Sequence, residues 1–304
     1  MKRRAFLGNT LAASAGLGLG LGSLASCSGS SQRKITILHT NDVHSHIESF
    51  EMDHSRYPGM GGVARRAGLI QSIRQENPNT LLFDAGDIFQ GTPYFNYFGG
   101  ELEFKMMSKL GYDGATIGNH DFDNGIDGLE VQLPNAMFDF IISNYDFTDT
   151  VMDGRTDRFK IYETGGVKVG VFGLGIQLKG LVDPALYKET KYLDPVEITQ
   201  DMTRFLREEE HCDLVIALSH LGYNYKSNPD RISDLSLARK TEGVDLIIGG
   251  HTHTFLKKPT IVRNRADKNM LVNQVGCWGV QVGRIDFEFN SRGKSSEKGT
   301  SIVV

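Results

Sequence analysis

Ile35-Thr36-Ile37-Leu38-His39-Thr40 runs without a break into Asn41-Asp42-Val43-His44. The first six residues, rich in β-branched and apolar side chains, read as a buried strand. The strand then ends in an amide, a carboxylate and an imidazole within four positions. The same arrangement recurs along the chain. Leu81–Asp84 leads into Gly86-Asp87, and Ala115–Ile117 into Gly118-Asn119-His120-Asp121-Phe122-Asp123. Leu214–Leu218 ends at Ser219-His220, and Leu246–Ile248 at Gly249-Gly250-His251-Thr252-His253. In an open α/β sheet, ligands bind beyond the carboxyl ends of the strands, so five such loops can converge.

Each string alone says little. A histidine beside a strand is most often structural, and Gly-Asp is most often a turn. Five such strings in succession, each after an apolar run, call for a common cause. Asp42 and His44 are two apart, as are His251 and His253, so in extended backbone each pair projects to one side. Glycines 86, 118, 249 and 250 permit tight turns beside them. The set mixes carboxylate, imidazole and amide oxygen without thiolate, which suits Mn²⁺, Zn²⁺ or Fe better than a Cys-rich structural zinc site. Seven such groups are too many for one ion and suit two divalent ions sharing a carboxylate.

Composition frames this reading. Charged residues are 23% of 304 and the net charge is −4, which excludes a polybasic nucleic-acid or membrane-surface binder. Residues 1–26 begin Lys2-Arg3-Arg4-Ala5-Phe6-Leu7 and continue through an Ala/Gly/Leu run with no acidic residue, which reads as a twin-arginine-like export signal. The signal ends Leu24-Ala25-Ser26-Cys27, which resembles a lipobox with Cys27 as the lipidated first residue of the mature chain. The expected location is the periplasm or cell surface of a bacterium, with membrane attachment through Cys27. Without Lys2, Arg3 and Arg4 the chain keeps 30 basic against 37 acidic residues, a net charge of about −7. Residues 27–33 read as a tether. Cys212 and Cys277 are too few for a disulfide framework.

From Lys34 onward the pattern predicts one α/β domain over 34–290 and a polar tail over 291–304, with Ser301–Val304 able to add an edge strand. Expected strands are Ile35–Thr40, Thr80–Asp84, Gly114–Ile117, Phe140–Ser143, Leu214–Ser219, Leu246–Ile248, Met270–Val275 and Arg284–Phe289. Phe159–Tyr162 and Val167–Gly173 flank a hairpin signal, Glu163-Thr164-Gly165-Gly166. Helical periodicity covers Gly62–Gln75, Leu102–Leu110 and Pro195–Glu209, and Gly222–Arg231 reads as a surface excursion.

These strings, with Gly61-Gly62-Val63-Ala64-Arg65-Arg66 and Trp278-Gly279, resemble the calcineurin-like metallophosphoesterases, specifically their 5'-nucleotidase branch. The resemblance implies a four-layer α/β/β/α sandwich. It makes Asp42, His44, Asp87 and His253 ligands of one ion and Asp87, Asn119, His220 and His251 ligands of the other, with Asp87 bridging. His120 corresponds to the family's catalytic histidine and Asp123 to the carboxylate that orients it. Asp121 stands where many relatives have Glu, outside the metal set. The implied reaction is hydrolysis of a nucleotide or other phosphate ester by in-line attack of metal-activated water, without a phosphoenzyme. The resemblance implies a second, C-terminal recognition domain in full-length relatives, and this chain is expected to lack it. A separate partner chain is therefore expected to supply nucleotide recognition. The alternatives are a stand-alone phosphomonoesterase or phosphodiesterase of broad range, or a catalytically silent metal-binding lipoprotein. His39 reads as a packing or supporting residue, Asp84 as a hydrogen-bonder behind Asp87, His54 and His211 as structural or solvated, and Asn144 as a marginal candidate for touching substrate.

Overall fold

The computed structural model describes residues 33–291 and 293–304. The expected export signal, the lipobox Cys27 and nearly all of the tether lie outside the described residues. Among the described residues no helix is long and apolar enough to cross a membrane.

Strand β1 (Arg33–Thr40) sets the layering. Ile35 and Ile37 enter one apolar cluster and Leu38 another, and all three are fully buried. A strand covered on both faces needs a packed layer on each side. β1 pairs in parallel with β2 (Thr80–Asp84), and β3 (Gly114–Ala115) and β4 (Asp139–Phe140) extend that side. On its other side it pairs antiparallel with β13 (Gln281–Asn290), and β14 (Gly293–Val303) closes the edge, giving the order β14-β13-β1-β2-β3-β4. The second sheet runs β11 (Thr260–Arg263), β12 (Asn269–Asn273), β10 (Leu246–Gly249), β9 (Leu214–Ser219), β7 (Val167–Leu174) and β6 (Phe159–Thr164). A short pair, β5 (Tyr145–Asp146) and β8 (Lys191–Tyr192), forms a separate two-stranded sheet.

Ile35, Ile37 and Phe83 from the first sheet and Val171, Ile216 and Ile248 from the second form one dry layer between them. On the outer face of the first sheet, Leu38 and Leu82 pack against α1 (Val63–Glu76), α2 (Pro93–Phe98), α3 (Glu101–Leu110) and α4 (Gly125–Gln132) through Ile70, Phe95, Phe104 and Leu129. A one-turn α5 (Pro184–Tyr187) follows. On the outer face of the second sheet, Val215 and Ile247 meet Met202 of α6 (Pro195–Arg204) and Leu237 of α7 (Asp234–Lys240). This is the expected four-layer α/β/β/α sandwich. His39, on β1, is fully buried and bonds the Asn273 amide of β12 at 2.8 Å. It is a packing residue that ties the two sheets together, and burial lowers its pKa to about 3.

Several expectations change in detail. The ladder at Gly114 stops at Ala115, and that at Phe140 stops at once. There the chain crosses between sheets, and Ser143 N–H donates to Gly173 O of β7 at 2.8 Å. The helix expected over Pro195–Glu209 is α-helical to Arg204 and then widens, with Glu210 N–H reaching Phe205 O five residues back. The stretch read as a polar tail is an eleven-residue edge strand. It pairs along the whole of β13, from Asn290–Gly293 to Gln281–Val303. A solvated edge strand needs no apolar face, so hydropathy gave no sign of it. Its Lys294, Glu297 and Lys298 also discourage further strand addition. Cys212 and Cys277 are buried thiols, not bridged.

Candidate metal centre

The centre forms where the carboxyl ends of both sheets meet. Five of its residues take left-handed backbone: Asp42 (φ 50°), His44 (50°), Asp87 (57°), His251 (71°) and His253 (49°). Such conformations cost on the order of 1 kcal/mol or more each for a non-glycine residue and persist only where the surroundings impose them. Backbone bonds between loops hold Asp42, His44 and Asp87. Asp42 N–H donates to Gly86 O at 2.9 Å, His44 N–H to Asp87 O at 3.1 Å, and Trp278 N–H to Asp42 O at 2.7 Å.

Two sets of donors result. In the first, Asp42 Oδ1 lies 3.4 Å from His253 Nε2 and 3.9 Å from His44 Nε2, and the two Nε2 atoms are 3.0 Å apart. In the second, Asp87, His220 and His251 converge, and Asn119 Oδ1 lies 2.8 Å from His251 Nδ1. Asp87 stands between the sets. Its Oδ1 accepts the His120 N–H at 2.8 Å, while Oδ2 lies 3.0 Å from His220 Nε2 and 3.9 Å from His44 Nε2.

The tautomers fit divalent cations. His44 Nδ1 faces Phe89 O at 3.2 Å and His220 Nδ1 faces Ala85 O at 2.7 Å. A carbonyl can only accept, so both Nδ1 atoms carry hydrogen and both Nε2 lone pairs point inward, the arrangement used to orient imidazole ligands. His220 Nε2 is buried without a well-directed hydrogen bond, and the His44 and His253 Nε2 atoms confront each other. Three donors so placed suit a cation better than shared protons. Without one, burial pulls His220 down, but Asp87 and Asp42 more than reverse this and lift it to about 10. Asp87 is driven well below the carboxylate range: its burial is outweighed by His220, His44 and His120. Burial lowers His251 to about 4.

His120 sits at the rim, 38% exposed, its ring 5.3 Å from that of His44. Its Nδ1 meets Asp123 Oδ2 at 2.9 Å, and this bond is the main reason its pKa is raised.

Asp121, which the sequence placed outside the metal set, is the clamp of the centre. Its carboxylate accepts four backbone N–H groups: Gly118 (2.8 Å) and Asp87 (3.0 Å) on Oδ2, Ile88 (2.8 Å) and Phe89 (3.1 Å) on Oδ1. It thereby fixes the Asp87 turn to the turn before Asn119. Burial and the Asp87 charge push Asp121 up to about 6, and the N–H donors oppose them. Other supports were equally unmarked. Asn41 bonds Asp42 Oδ2 and Gly276 O, both at 2.6 Å. Gln274 bonds Thr252 and Thr254 of the His251–His253 loop. Asp234, pushed to about 8 by burial, takes the Ser219 hydroxyl at 2.6 Å beside His220.

The remaining candidates fall outside the centre. Asp84 accepts from Thr40 Oγ1 at 2.5 Å and from Gly86 N–H at 2.9 Å, a supporting role. Asn144 commits both ends of its amide to Gly175. His54 Nδ1 accepts the Tyr57 N–H at 2.9 Å.

Two sheets meeting at a doubled Asp/His/Asn centre define a dinuclear-type hydrolase scaffold. The chain belongs to the calcineurin-like phosphoesterase family, whose profile matches residues 35–255. Snake venom 5'-nucleotidase from Gloydius brevicauda is 34% identical over 281 residues, covering 86% of this chain and 46% of that protein. The crystal structure of a 5'-nucleotidase precursor from Thermus thermophilus superposes with a TM-score of 0.79 at 33% identity, covering 89% of this chain and 54% of that one. That of the calcineurin-like phosphoesterase YfkN from Bacillus subtilis gives 0.72 at 27%, covering 90% and 91%. The chain thus spans about half the length of such 5'-nucleotidases.

Two outcomes follow from this geometry. Asp121→Asn turns an amide NH₂ toward backbone donors and forfeits at least one pair of bonds, so chemical denaturation should show a loss of about 3 kcal/mol. The cationic form of His120 is complete below its ordinary value near 6.5 and is lost as pH rises through its raised value. Asp123→Asn should therefore move that loss to lower pH in an NMR titration of the ring.

Proposed function

We propose that the chain hydrolyses phosphoric esters of the 5'-nucleotide kind, releasing orthophosphate. Asp42, His44 and His253 hold one divalent cation; Asn119, His220 and His251 hold a second; Asp87 belongs to both. The observation that carries this reading is Asp87 Oδ2 facing an imidazole nitrogen of each set. Two cations held there supply Lewis acidity toward phosphoryl oxygens and water.

The protein's own groups do the rest. Asp87, Asp42 and the inward imidazole nitrogens make an anionic floor that localises positive charge where a phosphoryl group docks. His120, whose cationic form Asp123 favours, offers its other edge to the developing charge or to the leaving oxygen. Among the described residues no thiolate competes as nucleophile, since burial pushes Cys277 up to about 12 and raises Cys212 as well.

The nucleoside is recognised, on this reading, by residues of a partner chain outside this domain. The described domain matches about half the length of the related 5'-nucleotidases, so their remaining half supplies contacts that this domain does not. The isolated protein should then hydrolyse simple phosphate esters with high KM and weak base preference, because discrimination needs differential contacts. The proposal extends to export and anchoring at Cys27, supported by Arg3-Arg4 and Leu24-Ala25-Ser26-Cys27.

Chromogenic mono- and diesters, AMP, ATP and UDP-glucose, assayed with Mn²⁺, Zn²⁺ or Co²⁺, test the activity. Turnover should require metal, and Asp87→Asn and His120→Ala should each lower kcat/KM by about 10²–10⁴. Metal-independent turnover, or turnover that survives both substitutions, would refute the reading. Cys27→Ala should move the protein from the membrane fraction to the soluble fraction; unchanged fractionation removes the anchor.

A further inference from the structure

Two strings remain without a role in this chemistry, Gly61-Gly62-Val63-Ala64-Arg65-Arg66 and Trp278-Gly279. They meet behind the first donor set. Arg66, on α1, is only 4% exposed, yet it forms no ion pair among the described residues, and its Nε and Nη1 have no hydrogen-bond partner. A buried guanidinium left so is costly, and such groups ordinarily have partners. Across from it, Glu103 of α3 is 3% exposed. One of its oxygens takes the hydroxyl of Ser45 and the other, Oε2, has no partner.

Both side chains line the same cavity of about 20 Å³, with Val43, Ser45, Ile88 and Tyr112. That volume suits about one water, which needs two to four polar partners. The unsatisfied atoms are two donors and one acceptor, so one water can accept from Arg66 and donate to Glu103.

Each end of this pair bears on the first donor set. Ser45, held by Glu103, follows His44 directly, and its hydroxyl also pairs with Thr92 at 2.8 Å. At the other end, any Cβ on Gly279 would collide with the Arg66 guanidinium, so the guanidinium fills the space a side chain would take. The neighbouring Trp278, itself left-handed at φ 61°, holds Asp42 O through its N–H.

We propose that Arg66 is a positioning residue for the loop Asp42–Ser45. Through a bridging water it braces Glu103 and Ser45 on one side, and by direct packing it braces the Trp278–Gly279 turn on the other. The inference rests on the reading that the two donor sets hold metal, and it adds that the first set depends on this strut while His220 and His251 of the second do not touch it.

The test is a titration of chelator-stripped protein with Mn²⁺, followed by calorimetry and by bound-metal analysis, beside the melting temperature. Wild type should take two ions, and His253→Ala marks which step belongs to the first set. Arg66→Met should weaken that step by about tenfold or more and leave the other within about twofold, the range expected for a group supporting a ligand. Arg66→Lys should fall between, and Arg65→Met, exposed on the same helix, should match wild type. Should Arg66→Met fail to fold, the near-isosteric Glu103→Gln should give the same selective loss. Equal weakening of both steps in proportion to lost melting temperature, or no weakening, would overturn the proposal. Wild type binding no Mn²⁺ would instead take down the metal assignment, and the strut with it.

Discussion

The carboxylate of Asp87 lies where the two sheets and the two donor sets meet. It is almost wholly buried, with one oxygen tied to the His120 backbone and the other facing an imidazole from each donor set. A buried carboxylate in a dry site is unstable unless positive charge and donors surround it. The protein meets that requirement by bringing His44 from one sheet and His220 from the other to the same oxygen. The two sheets therefore have to meet at their carboxyl ends, and the shared apolar layer of Ile37, Phe83, Ile216 and Ile248 keeps them there.

Holding that carboxylate in place demands backbone that resists relaxation. Five residues of the centre are left-handed, and each sits in a loop bonded to a neighbouring loop. Asp121 does the most, collecting four N–H groups from two turns with one side chain. Asn41 and Gln274 each take one backbone N–H, from Val275 and Thr254, and Asp234 holds the Ser219 hydroxyl. Strain in the loops is thus balanced by charge-assisted bonds beneath them, so geometry at the metal-competent atoms is tied to groups that never touch a ligand.

The side chains that converge at the centre stood out in the sequence because chemistry restricts their types. Asp42, His44, Asp87, Asn119, His220, His251 and His253 are residue types with recognisable donor atoms, each directly after a run that could only be a buried strand. The same runs pointed to an α/β domain with a buried sheet, since β1, β2, β7, β9 and β10 are largely apolar, whereas the four-layer arrangement came from the family resemblance. What stayed hidden was what has no periodicity. The strand over Gly293–Val303 is polar and half solvated, and α7 begins in a polar stretch without a long apolar stripe. Asp121 and Glu103 look like ordinary surface acids until the fold turns them inward. The crossing at Ser143 depends on Gly173 in a distant strand, which no local pattern announces.

An anomalous difference map from crystals grown with Mn²⁺ would locate the ions held beside Asp87. If Asp87 is shared, two peaks flank its Oδ2, one against Asp42, His44 and His253 and the other against Asn119, His220 and His251. A single peak, or two that do not share Asp87, would contradict that sharing.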